Sequence, residues 1–128
     1  VREARATAIR NPSLSATLIE LAGGDPEKID GPLVTKAAQR GDDFAQSLLA
    51  DLGYWIGSGA ASVAALLDPE IVVIGGGVAA AGDLLVAPAR AAFLAALPAR
   101  GHRVEAEIAI AKMGNSAGIV GAADLARQ

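Results

Sequence analysis

The sequence Ile71-Val72-Val73-Ile74-Gly75-Gly76-Gly77 places a short apolar, β-branched run directly before three glycines. A run of this kind, with Pro69 before it and glycine after it, predicts a fully buried strand of a parallel sheet. Glycine has no Cβ atom, so three glycines permit a sharp turn and the close approach of a ligand to the backbone. The segment is therefore either a tight strand-to-helix turn without a ligand or a site for an anionic ligand at a helix N-terminus.

The segments around this run predict an α/β unit. Asp42 to Leu67 has apolar residues at three- and four-residue steps and predicts one long helix, which Asp68-Pro69 ends. After the glycines, Gly82 to Ala96 predicts a second helix and Val104 to Ala111 predicts a second strand. Strand, helix and strand in this order form a right-handed crossover between parallel strands. The predicted fold class is helix-rich α/β, with two recognisable parallel strands and a crossover helix.

The long helix carries two patterns that bear on packing. Its apolar stripe predicts a side that faces the core, and the aromatic residues on or beside the stripe are interpreted as core rather than as a base-stacking platform. The aromatic residues are Phe44, Tyr54 and Trp55. The stripe consists of Phe44, Leu48, Leu52, Trp55, Gly59, Val63 and Leu66. The spacing Gly53-x-x-x-Gly57 predicts tight helix packing in a core rather than a membrane contact.

The rest of the chain predicts short helices joined by turns. Leu14 to Leu21 and Pro32 to Gln39 read as helices, and Asp25-Pro26-Glu27 opens a shorter one between them. A final helix runs from Gly114 to Arg127, and Asn115 at its start is interpreted as a capping residue, with a ligand contact as the alternative. A sheet of only two apolar strands is marginal, so further strands are expected from upstream sequence or another chain.

Composition argues against several classes of function. The chain has 128 residues, of which 52% are hydrophobic, enough for a packed core. A net charge of −3 gives no basic surface for nucleic acid, and the lack of cysteine excludes disulfides and thiolate metal sites. The longest uncharged run, Leu52 to Leu67, is shorter than the ~20 residues that span a bilayer. A cytoplasmic protein without membrane contact is predicted.

Local motifs alone assign no chemistry. Gly75-x-Gly77-x-x-Ala80 matches the dinucleotide fingerprint, but the second strand ends in Ile108 to Ala111 without the required acidic residue, and there is no P-loop. His102 is the one histidine and is interpreted as an exposed loop residue, because no cysteine or second histidine could complete a metal site with it. Asp68 and Glu70 are interpreted as structural residues at the helix stop and strand entry.

Several separated motifs nevertheless resemble one family. Leu66 to Val78, which holds the apolar run and the three glycines, is similar to the ROK family of sugar kinases and related repressors. Three further segments resemble that family in the same order: Leu21-Ala22-Gly23-Gly24-Asp25-Pro26, Ala37-Ala38-Gln39-Arg40-Gly41-Asp42 and Gly114-Asn115-Ser116-Ala117-Gly118-Ile119-Val120-Gly121-Ala122-Ala123. The resemblance is to the C-terminal half of the bacterial glucose kinases in the family and covers essentially the whole chain.

The resemblance implies a partial actin-like, ribonuclease H-like kinase domain, with ATP and a hexose bound between two α/β domains. It implies that the intact protein transfers the γ-phosphate of ATP to a hexose, expected to be glucose, with Mg²⁺ offsetting the phosphate charge. A cytoplasmic homo-oligomer is expected. Four residues are carried over as nucleotide-binding residues: Gly75, Gly76, Gly77 and Val78.

The chain also departs from the family pattern. It lacks the Asp-x-Gly-Gly-Thr loop, the Asn-Asp pair that supplies the general base, the Gly-Thr-Gly segment and the cysteine-rich zinc motif. Residues 1–128 are therefore expected to be the C-terminal part of the C-terminal domain, inactive alone, with no catalytic residue or metal ligand and with the structural zinc upstream. Alternatives are a sugar-responsive repressor, which a winged-helix segment in the full-length sequence would reveal, and a purely structural or assembly domain.

Overall fold

The computed structural model describes residues 1–99, 101–102 and 104–127. Short 3₁₀ turns lie at Pro26–Lys28, Gly77–Ala81 and Gly114–Ser116. The helices and strands, in chain order, are α1 (Arg2–Arg10), α2 (Ala16–Leu21), α3 (Gly31–Gln39), α4 (Asp43–Leu67), β1 (Ile71–Ile74), α5 (Asp83–Ala96), β2 (Glu107–Ile110) and α6 (Ala117–Leu125).

The two strands and the helix between them form the predicted crossover unit. β1 and β2 pair in parallel, with a register that runs from Ile71 opposite Glu107 to Ile74 opposite Ile110. The Arg90 guanidinium on α5 donates a hydrogen bond to the carbonyl oxygen of Ile108 at 3.2 Å, which ties the crossover helix to the sheet. The predicted α/β class, the long helix and the first strand are confirmed. β2 is shorter than predicted because β1 offers only four residues to pair with.

β1 is only half buried, so the prediction of a fully buried strand is wrong. Ile74 is buried with Ile108 in the core that α4 and α5 complete. Successive side chains of a strand point to opposite faces, and Ile71 and Val73 on the other face are 48% and 54% exposed. Among the described residues, helices cover one face of this sheet, while a parallel sheet ordinarily has both faces covered.

From Leu52 to Leu66 the apolar stripe of α4 faces away from the core, contrary to the prediction, whereas Leu48 nearer its start packs partly buried against the core. Trp55 is 71% exposed and Leu66 is 84% exposed, and Tyr54 packs edge-on against Trp55 at the surface. Phe44 is the exception among the aromatic residues, since it packs partly buried against the core. The core side of α4 is instead built mainly from small residues: Ala45, Leu49, Gly53, Gly57, Ala60, Ala61 and Ala64.

Small residues face inward because α5 packs very close to α4. A Cβ atom at Gly53 would lie 2.7 Å from the carbonyl oxygen of Leu85, and a Cβ atom at Gly57 would overlap the carbonyl group of Ala89. The predicted tight packing at the Gly53-x-x-x-Gly57 spacing is therefore confirmed. Within the described part of the chain, no helix is both long and apolar enough to cross a membrane.

The start of α4 depends on one capping side chain. The Asp42 carboxylate accepts a hydrogen bond from the backbone N–H of Ala45 at 2.7 Å, so one of the free donors of the first turn is satisfied. We expect Asp42→Ala to lower the free energy of unfolding by about 1 kcal/mol, the usual value of such a cap. Urea unfolding of the full-length protein would measure it. Asp43→Ala is the matched control, and an equal loss in both variants would contradict a capping role specific to Asp42.

Candidate functional site

The glycine turn between β1 and α5 has a backbone geometry that requires glycine. Gly76 has φ 78° and ψ −168°, a conformation that residues with a Cβ atom rarely adopt. The 3₁₀ turn Gly77–Ala81 follows, and Gly82, with φ 57° and ψ −135°, leads into α5. The structural interpretation of the glycines therefore holds for Gly76 whether or not a ligand binds there.

A cleft lies where both strands end, and we call it the strand-end cleft. In open parallel sheets, ligands bind outside the carboxyl ends of the strands. The backbone N–H of Ala111 donates to the carbonyl oxygen of Ile74 at 2.9 Å, which extends the ladder one residue beyond β2 to the cleft. The cleft has a volume of about 260 Å³ and is lined by Gly76, Gly77, Ala79, Ala80, Ile110, Ala111, Lys112 and Gly114.

A second cleft lies between the glycine turn and the N-terminal part of α3; we call it the α3 cleft. It has a volume of about 200 Å³ and is lined by Gly31, Pro32, Thr35, Gly77 and Val78. Asp30 fixes this end of α3, because its carboxylate accepts a hydrogen bond from the backbone N–H of Leu33 at 2.9 Å. Gly77 lines both clefts, so they adjoin at the same turn.

One side chain joins α3 to the glycine turn. The Gln39 amide donates a hydrogen bond to the carbonyl oxygen of Ala80 at 3.2 Å. This contact connects the last residue of α3 to the segment that lines the strand-end cleft. Sequence reasoning missed it, because no local pattern pairs two residues 41 positions apart.

The four predicted nucleotide-binding residues do not all line the same cleft. Gly76 and Gly77 line the strand-end cleft, and Gly77 and Val78 line the α3 cleft. Gly75 lines neither, and a Cβ atom there would make an ordinary contact, 3.7 Å from the Cβ atom of Ala111. Sequence reasoning also missed Thr35 and Lys112, which join the turn only through the folded chain.

Of the other residues considered for chemistry, His102 and Asp68 line neither cleft. His102 is exposed after α5, and Asp68 ends α4 in the left-handed conformation, with φ 48° and ψ 51°. The side chain of Asn115 lies outside the described residues, so both interpretations of it stay open. In the described ranges, no group of histidine, aspartate and glutamate side chains could hold a metal ion.

A larger groove runs along α6 but does not have the character of a ligand site. It has a volume of about 730 Å³ and lies between Met113 and Arg127. Its walls are exposed side chains such as Ile119 and Val120, on a helix none of whose described residues is buried. We favour the two clefts at the glycine turn, because backbone from a strand end and from a helix N-terminus meets there.

The model of the ROK family matches residues 7–128, nearly the whole chain. The chain belongs to the ROK family. This ROK chain is 38% identical over 128 residues to a glucokinase of Streptomyces coelicolor, covering all of the chain and 40% of that protein. It is 44% identical over 98 residues to a glucokinase of Halalkalibacterium halodurans, covering 74% of the chain and 28% of that protein. The ROK chain thus spans about 40% of the length of the first of these relatives.

A solved structure resembles the ROK chain over almost its whole length. It is a ROK family glucokinase from Streptomyces griseus in complex with glucose and AMPPNP, with a TM-score of 0.90 and 38% identity. The match covers 99% of this chain and 41% of that protein. The chain therefore has part of the actin-like, ribonuclease H-like fold of the ROK sugar kinases, as the sequence resemblance implied.

Proposed function

We propose that the protein that carries this chain transfers the γ-phosphate of ATP to a hexose, forming glucose 6-phosphate from glucose. The observation that carries the proposal is the match over 99% of this chain to a glucokinase solved with glucose and AMPPNP, an ATP analogue. The identity of 38% over all 128 residues to a curated glucokinase supports the same activity.

Within that protein, we propose that residues 1–128 are the C-terminal part of the C-terminal domain and bind the nucleotide. Phosphoryl transfer depends mainly on positioning and charge stabilisation, and glycines allow the backbone to approach a ligand closely. Gly76, Gly77 and Val78 are the proposed contacts, with Gly75 setting the end of β1. No carboxylate is found among the described residues that line either cleft, so the role proposed for this segment is nucleotide binding rather than proton transfer.

We further propose that Mg²⁺ accompanies ATP, that a structural zinc lies outside this chain, and that the protein is a cytoplasmic homo-oligomer. Mg²⁺ neutralises charge on the phosphates during transfer. The lack of cysteine in the chain fits a reducing compartment. The exposed faces of α4 and of β1 provide apolar surface that a further domain or subunit would cover.

A coupled assay on the purified full-length protein tests the proposed activity. With ATP and Mg²⁺, glucose should yield glucose 6-phosphate, while a panel of other hexoses and N-acetylated sugars establishes selectivity. Preference for another hexose would support the proposed kinase activity but contradict glucose as its substrate. Failure to phosphorylate any of these sugars would overturn the proposal.

Filling the strand-end cleft should weaken nucleotide use without harming the fold. Ala80 is exposed and lines that cleft, so Ala80→Leu places a larger side chain there with little strain. We expect KM for ATP to rise about tenfold, equivalent to about 1.4 kcal/mol, while KM for the sugar stays within twofold. Steady-state kinetics with each substrate varied would measure both.

Ala95→Leu is the matched control for that variant, because Ala95 is an exposed alanine on α5 and lines neither cleft. Equal effects of the two substitutions on KM for ATP, or no effect of Ala80→Leu, would contradict a nucleotide in the strand-end cleft.

A further inference from the structure

Among the described residues, Lys112 brings the only charged side chain to the strand-end cleft. It comes two residues after the end of β2, where the chain leaves the sheet beside the glycine turn. The other seven lining residues are glycines, alanines and one isoleucine. Lys112 is exposed, and none of the ion pairs between described residues involves it. Its ammonium group is therefore available to a ligand in this cleft.

The chemistry of this cleft favours the phosphate end of a nucleotide. Backbone N–H groups of a glycine turn can donate hydrogen bonds to a phosphate group, but glycine and alanine offer no opposite charge to offset its lost hydration, and a lysine does. Lysine carries a compact charge on a flexible stem and can follow phosphate oxygens over several ångströms. The attraction between opposite charges is also stronger beside low-dielectric protein than in bulk water.

The α3 cleft has the complementary character. Among the described residues that line it, none is charged, and the Thr35 hydroxyl is the one polar side-chain group. Thr35 is itself buried, at 9% exposure. An apolar cleft with one polar group suits a nucleotide base better than a phosphate. Because Gly77 lines both clefts, a single nucleotide can lie across it with one end in each.

We infer that Lys112 binds the phosphates of the nucleotide in the strand-end cleft, so that the nucleotide crosses Gly77 with its base in the α3 cleft. The inference rests on the proposed function and adds to it a phosphate-binding residue and an orientation. Lys112 acts here as a specificity determinant for nucleotides that carry phosphates over nucleosides.

Calorimetry on the full-length protein with ATP, AMP and adenosine as separate ligands tests this inference. Lys112→Gln should weaken ATP binding about five- to tenfold, weaken AMP binding less, and leave adenosine binding unchanged, because only the phosphates meet the lysine. Lys112→Arg keeps the charge and should restore most of the affinity for ATP. The melting temperature should not change, because the Lys112 side chain is exposed.

Lys36→Gln is the matched control, since Lys36 is an exposed lysine on α3 that lines neither cleft and its loss changes the net charge equally. An unchanged Kd for ATP in Lys112→Gln would overturn the inference while leaving the nucleotide site intact. Equal weakening of ATP and adenosine would overturn the orientation. If the unaltered protein bound none of the three ligands, the proposed function itself would fail, and the inference with it.

Discussion

Gly57→Val should prevent the full-length protein from folding stably. A Cβ atom at this position would overlap the carbonyl group of Ala89 and lie 2.8 Å from the backbone nitrogen of Phe93. Both are backbone atoms of α5, so no side chain can turn aside, and the two helices must separate. Overpacking a core usually costs about 1–3 kcal/mol, and we expect more than that here because the backbone itself must move.

Soluble yield and thermal melting by circular dichroism would measure this loss. Gly59→Val is the control on the same helix, because a Cβ atom at Gly59 meets nothing within 4 Å. We expect that control to melt within a few degrees of the unaltered protein. A soluble Gly57→Val protein with a similar melting temperature would contradict the close contact between α4 and α5 at this position.

Gly76→Val should impair both the fold and nucleotide binding. Valine is β-branched and does not readily adopt φ 78° with ψ −168°, so the turn must change its course or accept a strain of about 1–3 kcal/mol. Either response displaces Gly77, which lines both clefts. We therefore expect a lower melting temperature and a loss of ATP affinity of at least about tenfold.

Gly75→Ala is the companion variant, because Gly75 lacks the positive φ angle and has room for a methyl group. It should keep both the melting temperature and KM for ATP. A Gly76→Val protein that melts lower but binds ATP normally would assign the turn a purely structural role. One that matches the unaltered protein in both respects would show that the glycine geometry is not needed.

The local elements could be predicted because their signals are local. The helix start at Asp25-Pro26-Glu27, the stop at Asp68-Pro69 and the β-branched run Ile71-Val72-Val73-Ile74 each act within a few residues. The orientation of α4 could not be predicted in this way. Helical periodicity identifies an apolar stripe, but the partner helix α5 packs against the small residues on the other side and leaves Trp55 exposed.

Only part of the candidate site could be predicted from the sequence, because some of its residues meet only in the folded chain. The three glycines stand next to one another and indicate the turn. Lys112 reaches the same cleft only because β2 pairs in parallel with β1, and Thr35 reaches Gly77 only because α3 packs beside the turn. Contacts between residues more than thirty positions apart leave no periodic pattern.

The small residues between α4 and α5 have a further consequence for the entropy of folding. Glycine and alanine have no side-chain rotamers to lose, so bringing Gly53, Gly57 and Ala89 into contact avoids the loss of side-chain conformational freedom that larger residues would incur. In the sequence, α4 comes before β1 and α5 comes after the glycine turn. The segment made of β1 and the turn is therefore attached at both ends to this close-packed pair of helices. Fixing both ends of this segment reduces the conformations open to the turn, so less ordering would remain for a ligand to supply.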